Sequence, residues 1–337
     1  MSEPNIDQSS QTFEYDAIIA LPCYNEEKHL RVVVENLVKN CESMNVKIVI
    51  LDGRSEDETP IIGQNLAEQY KNVVYLENPK RLQSAAINLA AQVFRDKAPV
   101  LIRIDAHAEY PAGYCQSLLK EQNETGAASV VVSMNTVGNA PLQRAIAVAQ
   151  NSKMGNGGAS HRLLSEEGKW VDHGHHALFS MDVFNELGGY DESFSHNEDA
   201  EYDYRLTKAG YKIWLTAKTY LDYYPRTSFS ALFKQYYNFG KGRAKNILKH
   251  KIKPKLRQMV PAVILPTLIL AVLSFIHPIF AIPLAFWMFA CLGYGIYLSY
   301  QQKNLSVILS GPAAMVMHLG WSYGFWHGFC INYRPTN

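Results

Sequence analysis

Apolar residues in the first third of the chain fall in short blocks, separated by stretches with helical spacing. Tyr15–Leu21 (YDAIIAL) reads as a buried strand that Pro22 is expected to stop. Cys23-Tyr24-Asn25 then forms a turn, with Asn25 as a helix cap and Glu26 and Glu27 favouring the first turn through the helix dipole. Leu30, Val33, Val34, Leu37 and Val38 give that helix one apolar face. Val46–Leu51 is a second strand, ending on Asp52. Ser55-x-x-Glu58 has the form of a capping box, with Pro60 in the first turn of a helix running to about Tyr70. Val73–Leu76 is a third strand, and Arg81–Arg95 a helix with Leu82, Ala85, Ala86, Leu89 and Val93 on one side. Pro99–Asp105 is a fourth strand. This βαβαβαβ order predicts an α/β fold, with a mostly parallel sheet and helices on both faces.

The middle of the chain is less regular. Ser129–Met134 reads as a strand and Pro141–Lys153 as a helix. Gly155-Asn156-Gly157-Gly158 lacks the strand–GxxxxGK–helix context of a phosphate loop and reads as a flexible loop, or alternatively a lid on the acceptor side. Trp170–Phe179 holds His173, His175 and His176. Alternate residues of an extended segment face opposite ways, so all three cannot be ligands, and each alone reads as polar packing. Gly188–Glu192 is a tight turn. Asn197 caps a helix that Gly210 ends, with Glu198 and Asp199 in its first turn.

After residue 258 the pattern changes. Val260–Tyr300 is nearly free of charge and divides at His277-Pro278 into two apolar stretches, Met259–Ile276 and Ile279–Tyr300. Leu305–Ile331 is a third, weaker one. A span needs about 20 residues, so the chain has three spans, or two with a re-entrant or interfacial third; the competing reading is a helical hairpin buried in a soluble domain. The resulting division is a disordered N-terminus at 1–13, an α/β domain at 14–230, a basic amphipathic or interfacial linker at 231–258 and membrane helices at 259–331.

Charge sharpens this picture. The net charge of +1 over 337 residues gives no global attraction to nucleic acid. Locally, Lys241, Arg243, Lys245, Lys249, Lys251, Lys253, Lys255 and Arg257 follow one another with no acid among them. By the positive-inside rule this run is cytosolic, and it attracts anionic headgroups. Tyr236, Tyr237 and Phe239 stand beside it as interfacial aromatics. Five cysteines without CxxC spacing indicate neither a disulfide framework nor a zinc site. The polar, acidic start reads as no signal peptide.

Three places carry candidate chemistry. Asp52 and Asp105 both close strands, where open parallel sheets bind ligands. Asp105-Ala106-His107 places a carboxylate and an imidazole on one turn, a pair suited to a divalent cation that in turn holds a diphosphate. Asp199, at a helix N-terminus, stays ionised and can act as a base. Each also has a purely structural reading, as strand-end turn, surface residue or helix-start stabiliser.

In order and spacing, PCYNEE (Pro22–Glu27), LDGRSEDET (Leu51–Thr59), RIDAH (Arg103–His107), GGYDE (Gly188–Glu192) and NEDAEYDYRL (Asn197–Leu206) resemble the family-2 glycosyltransferases of the GT-A fold, over about residues 15–225. The DAH turn with an apolar C-terminal segment is similar to the bacterial exopolysaccharide enzymes of the succinoglycan glucosyltransferase kind. The resemblance implies that Pro22, Tyr24, Glu26 and Asp52 line a nucleotide pocket, with Asp52 near uracil. Asp105 matches the first Asp of the DxD motif, and His107 stands where the second Asp ligates Mg²⁺ or Mn²⁺, a change that favours Mn²⁺. Asp199 matches the catalytic base. Arg81, or Arg243 in FGKGRAK, would assist the leaving diphosphate; the competing reading of both is solvated surface. The QxxRW motif of processive members is not present as such, since Gln235 and Arg243 are too far apart and no Trp follows Arg243. The implied protein is a membrane-bound, inverting hexosyltransferase at the cytoplasmic face of the inner membrane. It would take a UDP-hexose donor and a lipid-linked oligosaccharide acceptor, with other polysaccharide-assembly proteins as possible partners and no nucleic acid. A polyprenyl-phosphate acceptor and a non-catalytic membrane scaffold are the alternatives.

Overall fold

The computed structural model describes residues 12–158, 166–254 and 256–332. The N-terminal segment expected to be disordered lies, up to residue 11, outside the described residues. In chain order the elements are β1 (Ala17–Cys23), α1 (Leu30–Asn40), β2 (Val46–Asp52), α2 (Thr59–Gln69), β3 (Val73–Glu77), α3 (Gln83–Val93) and β4 (Val100–Arg103). They continue as β5 (Ala108–Glu109), α4 (Tyr114–Thr125), β6 (Ser129–Thr136), α5 (Pro141–Asn151), α6 (Lys153–Asn156), β7 (Lys169–Val171), β8 (His175–Ser180) and α7 (Met181–Glu186). The last are α8 (Glu198–Lys208), β9 (Ile213–Tyr223), α9 (Phe229–His250), α10 (Leu256–Ala262), α11 (Ile264–Val272), α12 (Ile282–Gln301) and α13 (Ser310–Asn332). The described residues form two compact units. One runs to Ala106 and takes in Ala177–Gly189; the other holds His107–His176 and the chain from Tyr190 onward.

In the first unit the strands run in the order β3-β2-β1-β4, all parallel, as the βαβ alternation predicts. Residues 178–180 of β8 add an antiparallel neighbour to β4. Ala17–Leu21, Ile48–Leu51, Leu101 and Ile102 are fully buried, as expected of strands covered by connecting helices. Four local expectations change. Pro22 continues β1, opposite Leu51, because β1 pairs with β4 only as far as Ala20 and the strand end is one-sided there. Asn25 is not a helix cap: its φ is 56° and α1 starts at Leu30. Ser55 and Glu58 form no capping box, for the Ser55 hydroxyl turns to Asp52 and α2 starts at Thr59. The buried side of α3 is Ser84, Ala85, Ala86, Ile87, Ala90 and Ala91, while Val93 is exposed; small residues let this helix lie close to its neighbours.

In the second unit β6 pairs parallel with β9, and β5 and β7 pair antiparallel with β9. The predicted strand Ser129–Met134 and helix Pro141–Lys153 appear as β6 and α5 with α6. Gly155 and Asn156 belong to α6, Gly157 and Gly158 have left-handed φ, and the next described residue is 166, so a lid beyond Gly158 lies outside the described residues. His173 bonds Asp203, which accords with polar packing. The expected basic linker is for the most part the helix α9. Glu201, fully buried, binds α8 to it: it accepts from Arg205 at 2.7 Å, from Lys249 at 2.5 Å and from His250 at 2.9 Å. Among the described residues two helical segments are long and apolar enough to cross a bilayer, Pro278–Gln301 and Leu305–Asn332; Met259–Phe275 is shorter. All five cysteines are free thiols, and Cys330 alone among them is exposed.

Candidate functional site

The loops that follow β1, β2 and β3 are interlocked. Asn25 N donates to Ser55 Oγ at 2.8 Å, and Glu56 N returns a bond to Asn25 Oδ1 at 2.9 Å. Glu26 N donates to Thr59 Oγ1 at 2.8 Å, and Glu27 N to Asp57 Oδ2 at 3.2 Å. Each loop holds one non-glycine residue with positive φ: Asn25 at 56°, Arg54 at 58° and Arg81 at 57°. Such conformations are costly and persist where surrounding bonds over-determine them. The surroundings here do so: Arg54 Nε donates to Glu77 at 2.7 Å, and Arg81 lies 3.6 Å from Glu56. Three of the expected nucleotide-binding residues, Tyr24, Glu26 and Arg81, lie on these loops, and Pro22 sits at the end of β1. Tyr24 is exposed and Arg81 half-exposed.

Asp52 lies at the end of β2 and is almost fully buried. A buried carboxylate needs donors, and Asp52 has them: Ser55 Oγ at 2.6 Å, Ser55 N at 3.2 Å and Tyr75 OH at 2.8 Å. Burial, and then the bond to Asp52, push the Tyr75 phenol up, so Tyr75 stays a donor across the physiological range. Burial and the same carboxylate raise the Cys23 thiol, which makes it an inert packing group. Gly63 on α2 makes room for the Tyr75 ring, since a Cβ there would meet Tyr75 Cδ2 at 2.6 Å. The backbone of Asp52 is occupied as well, accepting from Asn78 N at 2.7 Å.

Asp105 follows β4 with its side chain 15% exposed. Its Oδ1 accepts from Gln83 Nε2 at 2.7 Å and from Arg103 Nε at 3.2 Å. Gln83 is the first residue of α3, and Arg103 is 5% exposed. Neither was expected at the site; Arg103 stands inside the quoted RIDAH, whereas Gln83 carries no sequence signal. Tyr75 and Ser55 were likewise not singled out. His107 opens the second unit, exposed in a turn.

Asp199 belongs to the second unit. It lies in the first turn of α8 with Glu198 and Glu201, as expected, and Tyr190 OH donates to its Oδ1 at 2.5 Å. Asn197 precedes the helix with φ 65°, but its side chain makes no cap bond; it donates to the Phe239 carbonyl at 2.6 Å. Gly242 permits that approach, for a Cβ there would lie 2.6 Å from the His196 carbonyl. Burial, then the charges of Arg226 and Lys241, lower the His196 imidazole, which is therefore neutral at neutral pH. Tyr190 stands within the quoted GGYDE, so its position was legible and its partner was not.

Residues 18–188 match glycosyl transferase family 2. The chain is 48% identical over 318 residues to the succinoglycan biosynthesis protein ExoA of Rhizobium meliloti (strain 1021), covering 94% of this chain and 96% of that protein. The chain belongs to glycosyl transferase family 2. A more distant relative, 25% identical over 247 residues, is the dolichyl N-acetyl-alpha-D-glucosaminyl phosphate 3-beta-D-2,3-diacetamido-2,3-dideoxy-beta-D-glucuronosyltransferase of Methanococcus voltae, with 68% of this chain and 74% of that one covered. Among solved structures, the mannosyltransferase PcManGT of Pyrobaculum calidifontis, in complex with GDP-Man and Mn²⁺, superposes with a TM-score of 0.57 over 92% of this chain and 88% of that one, at 17% identity. GalNAc-T7 with UDP, GalNAc and Mn²⁺ gives 0.50 over 69% of this chain and 51% of that one, at 15% identity. These likenesses establish the GT-A fold, and with the family they make the chain a glycosyltransferase.

Proposed function

We propose that this family-2 member is a membrane-bound, metal-dependent, inverting hexosyltransferase. It moves a hexose from a nucleotide diphosphate donor, UDP-glucose by our reading, to a lipid-linked oligosaccharide during exopolysaccharide assembly at the cytoplasmic face of the inner membrane. The observation that carries this reading is the buried Asp52 carboxylate at the carboxyl end of a parallel strand, held by Tyr75 and Ser55, in a chain of this family. Open α/β sheets bind nucleotides at that end. An anionic acceptor fixed by two donors suits the polar edge of a uracil base. The name of the R. meliloti relative supports an exopolysaccharide product, and that of the M. voltae relative supports a saccharide acceptor on a lipid phosphate.

Asp52, with Pro22, Tyr24, Glu26 and Arg81, binds the nucleoside diphosphate, and Asp105 holds its ribose and diphosphate end. The donor chemistry of Asp105 and His107 fits Mn²⁺ better than Mg²⁺, which prefers oxygen donors; such an ion takes one or two protein ligands and fills its remaining positions with phosphate oxygens and water. Among the described residues no three His, Cys, Asp or Glu side chains gather into a self-sufficient metal centre. Asp105 and His107 would hold the ion, whose positive charge offsets the charge developing on the diphosphate. Asp199, kept in place by Tyr190, takes the proton of the acceptor hydroxyl. That oxygen forms its bond to the anomeric carbon as the carbon–phosphate-oxygen bond breaks, and the electron pair leaves with the diphosphate. In-line displacement converts an α-linked donor into a β-linked product.

The test is a donor screen on membranes containing the chain, with Mn²⁺, radiolabelled nucleotide hexoses and lipid-extracted acceptors. Label should enter the organic phase from UDP-glucose, in β linkage by NMR. No transfer from any nucleotide hexose would overturn the reading.

A further inference from the structure

We infer that α13, although long and apolar enough to cross a bilayer, does not cross one. The part of the chain that enters lipid is residues 264–302 alone, and Lys303 and the end of α13 stay on the face that carries the α/β domain. The inference rests on the membrane association proposed above and gives it a topology.

A spanning helix has its two ends in opposite aqueous phases, and its flanks meet lipid or other spans. Both ends of α13 are instead built into elements that cannot enter hydrocarbon. At its start, Ala313 and Met317 join Ile146 and Ala149 of α5 and Leu232 of α9 in one buried cluster. Just before it, Val307 is fully buried. At its far end Phe325 packs with Ala244 of α9 and Ala262 of α10.

Between these points α13 lies backbone to backbone along α9. A Cβ on Gly320 would meet the Phe233 carbonyl at 2.6 Å, one on Gly324 the Tyr237 carbonyl at 1.9 Å, and one on Gly328 the Lys241 carbonyl at 2.8 Å. From the other side, a Cβ on Gly240 would meet the Trp321 carbonyl at 2.0 Å. The first three pairs keep one spacing along both helices, so the helices run parallel. Helix α9 is held to the aqueous side by its charges: Lys245 donates to the Ser193 carbonyl at 2.5 Å, and Lys249 pairs with Asp191 at 2.6 Å and with buried Glu201. A helix zipped along α9 from Phe233 to Lys241 shares its side of the membrane. His318 adds a polar tie, its Nε2 to the Met154 carbonyl at 2.9 Å, while its Nδ1 accepts from Trp287 at 3.1 Å.

The chain between α10 and α13 is different. In α12, Trp287, Cys291, Gly295 and Leu298 turn inward, and the opposite stripe of Ile282, Phe286, Phe289, Ile296 and Tyr300 is bare. Little of the apolar stretch Pro278–Gln301 is buried, whereas nearly half of that in Leu305–Asn332 is. Around the turn that joins α11 to α12, Phe275 is 94% and Ile276 77% exposed. Exposed apolar surface of this extent marks an interaction site. Its occupant is the acyl-chain layer of the bilayer: from 259 to 302 the sequence has no charged side chain, while exposed Lys251, Lys253 and Lys303 flank it where anionic headgroups would lie. Phe233, Tyr237, Tyr323 and His327 stack along the α9–α13 seam, an arrangement suited to the headgroup level.

Three cysteines read the topology. Natural Cys330 reports the end of α13, Lys303→Cys the α12–α13 connection, and Val32→Cys, exposed on α1, the catalytic side; the last two are made in a Cys330→Ser background. A membrane-impermeant maleimide is applied to sealed vesicles of either orientation. All three sites should label from the same side. Cys330 alone labelling opposite Val32→Cys would mean that α13 crosses, Lys303→Cys alone that α12 and α13 cross as a pair, and both together that the segment before α13 crosses; each overturns the inference. Release of the chain by a high-salt wash without detergent would instead contradict the membrane reading, and this topology with it.

Discussion

Tyr75 and Asp52 make a testable unit. Phenylalanine at 75 keeps the ring against Gly63 and removes one donor from a buried carboxylate, a change worth about 1–3 kcal/mol. Tyr75→Phe should lower the denaturation midpoint and weaken UDP binding, as calorimetry would show; unchanged values in both would mean that Ser55 alone suffices. A second residue-scale prediction concerns acid. The Asp191 carboxyl is pulled down to about 2 from its ordinary 3.8: burial opposes the shift, and the bonds from Lys249 and Ser193 outweigh it. Its contribution to stability is therefore full above pH 3.8 and is lost as pH falls towards about 2. Lys249→Met should flatten the stability profile in that window, measured by chemical denaturation at stepped pH; an unaltered profile would mean that the pair is idle. The acids themselves were legible in the sequence, because an Asp closing an apolar run or opening a helix is a local pattern. Their partners were not. Tyr75 reaches Asp52 through the register of β2 on β3, and Gln83 reaches Asp105 from another element, so no spacing rule points to either.

Among the elements, the α9–α13 seam gives the sharpest expectation. Gly324→Ala would put a methyl 1.9 Å from the Tyr237 carbonyl, so the helices must part. Overpacking of this kind costs about 1–3 kcal/mol. Gly293→Ala on α12 has nothing within 4 Å of the new methyl and should leave stability unchanged or slightly higher. Equal thermal shifts for the two variants would contradict the backbone contact. The sequence of α9 has the look of a basic linker because Lys and Arg dominate its second half, and the apolar residues that seat it are spread thinly. Strand β9 carries no clear sequence signal since Lys218 and Asp222 interrupt its alternation, and α4 none because Tyr114, Cys115 and Leu118 are too few to set a period. Asn25 and Ser55 depart from the cap pattern for one shared reason. Cap-type side chains next to a helix start are ambiguous, and here each bonds a neighbouring loop instead of its own helix.

At the scale of the whole molecule, the parallel direction of β1 to β4 followed from alternation, since a βαβ crossover sets successive strands parallel, whereas their order, β3-β2-β1-β4, did not. The second unit depends on long-range pairing of β6, β7 and β9, and on a helix, α13, whose composition suits a membrane while its packing suits a protein core. Hydropathy cannot separate those two states; only the neighbours can. The central claim is that this family-2 chain transfers a hexose with Asp199 as the base. The most direct measurement compares Asp199→Asn with the natural chain, in transfer from UDP-glucose and in calorimetric binding of UDP with Mn²⁺. The account predicts a loss of transfer of about 10²-fold or more with UDP affinity unchanged. Transfer at the natural rate in that variant would contradict it.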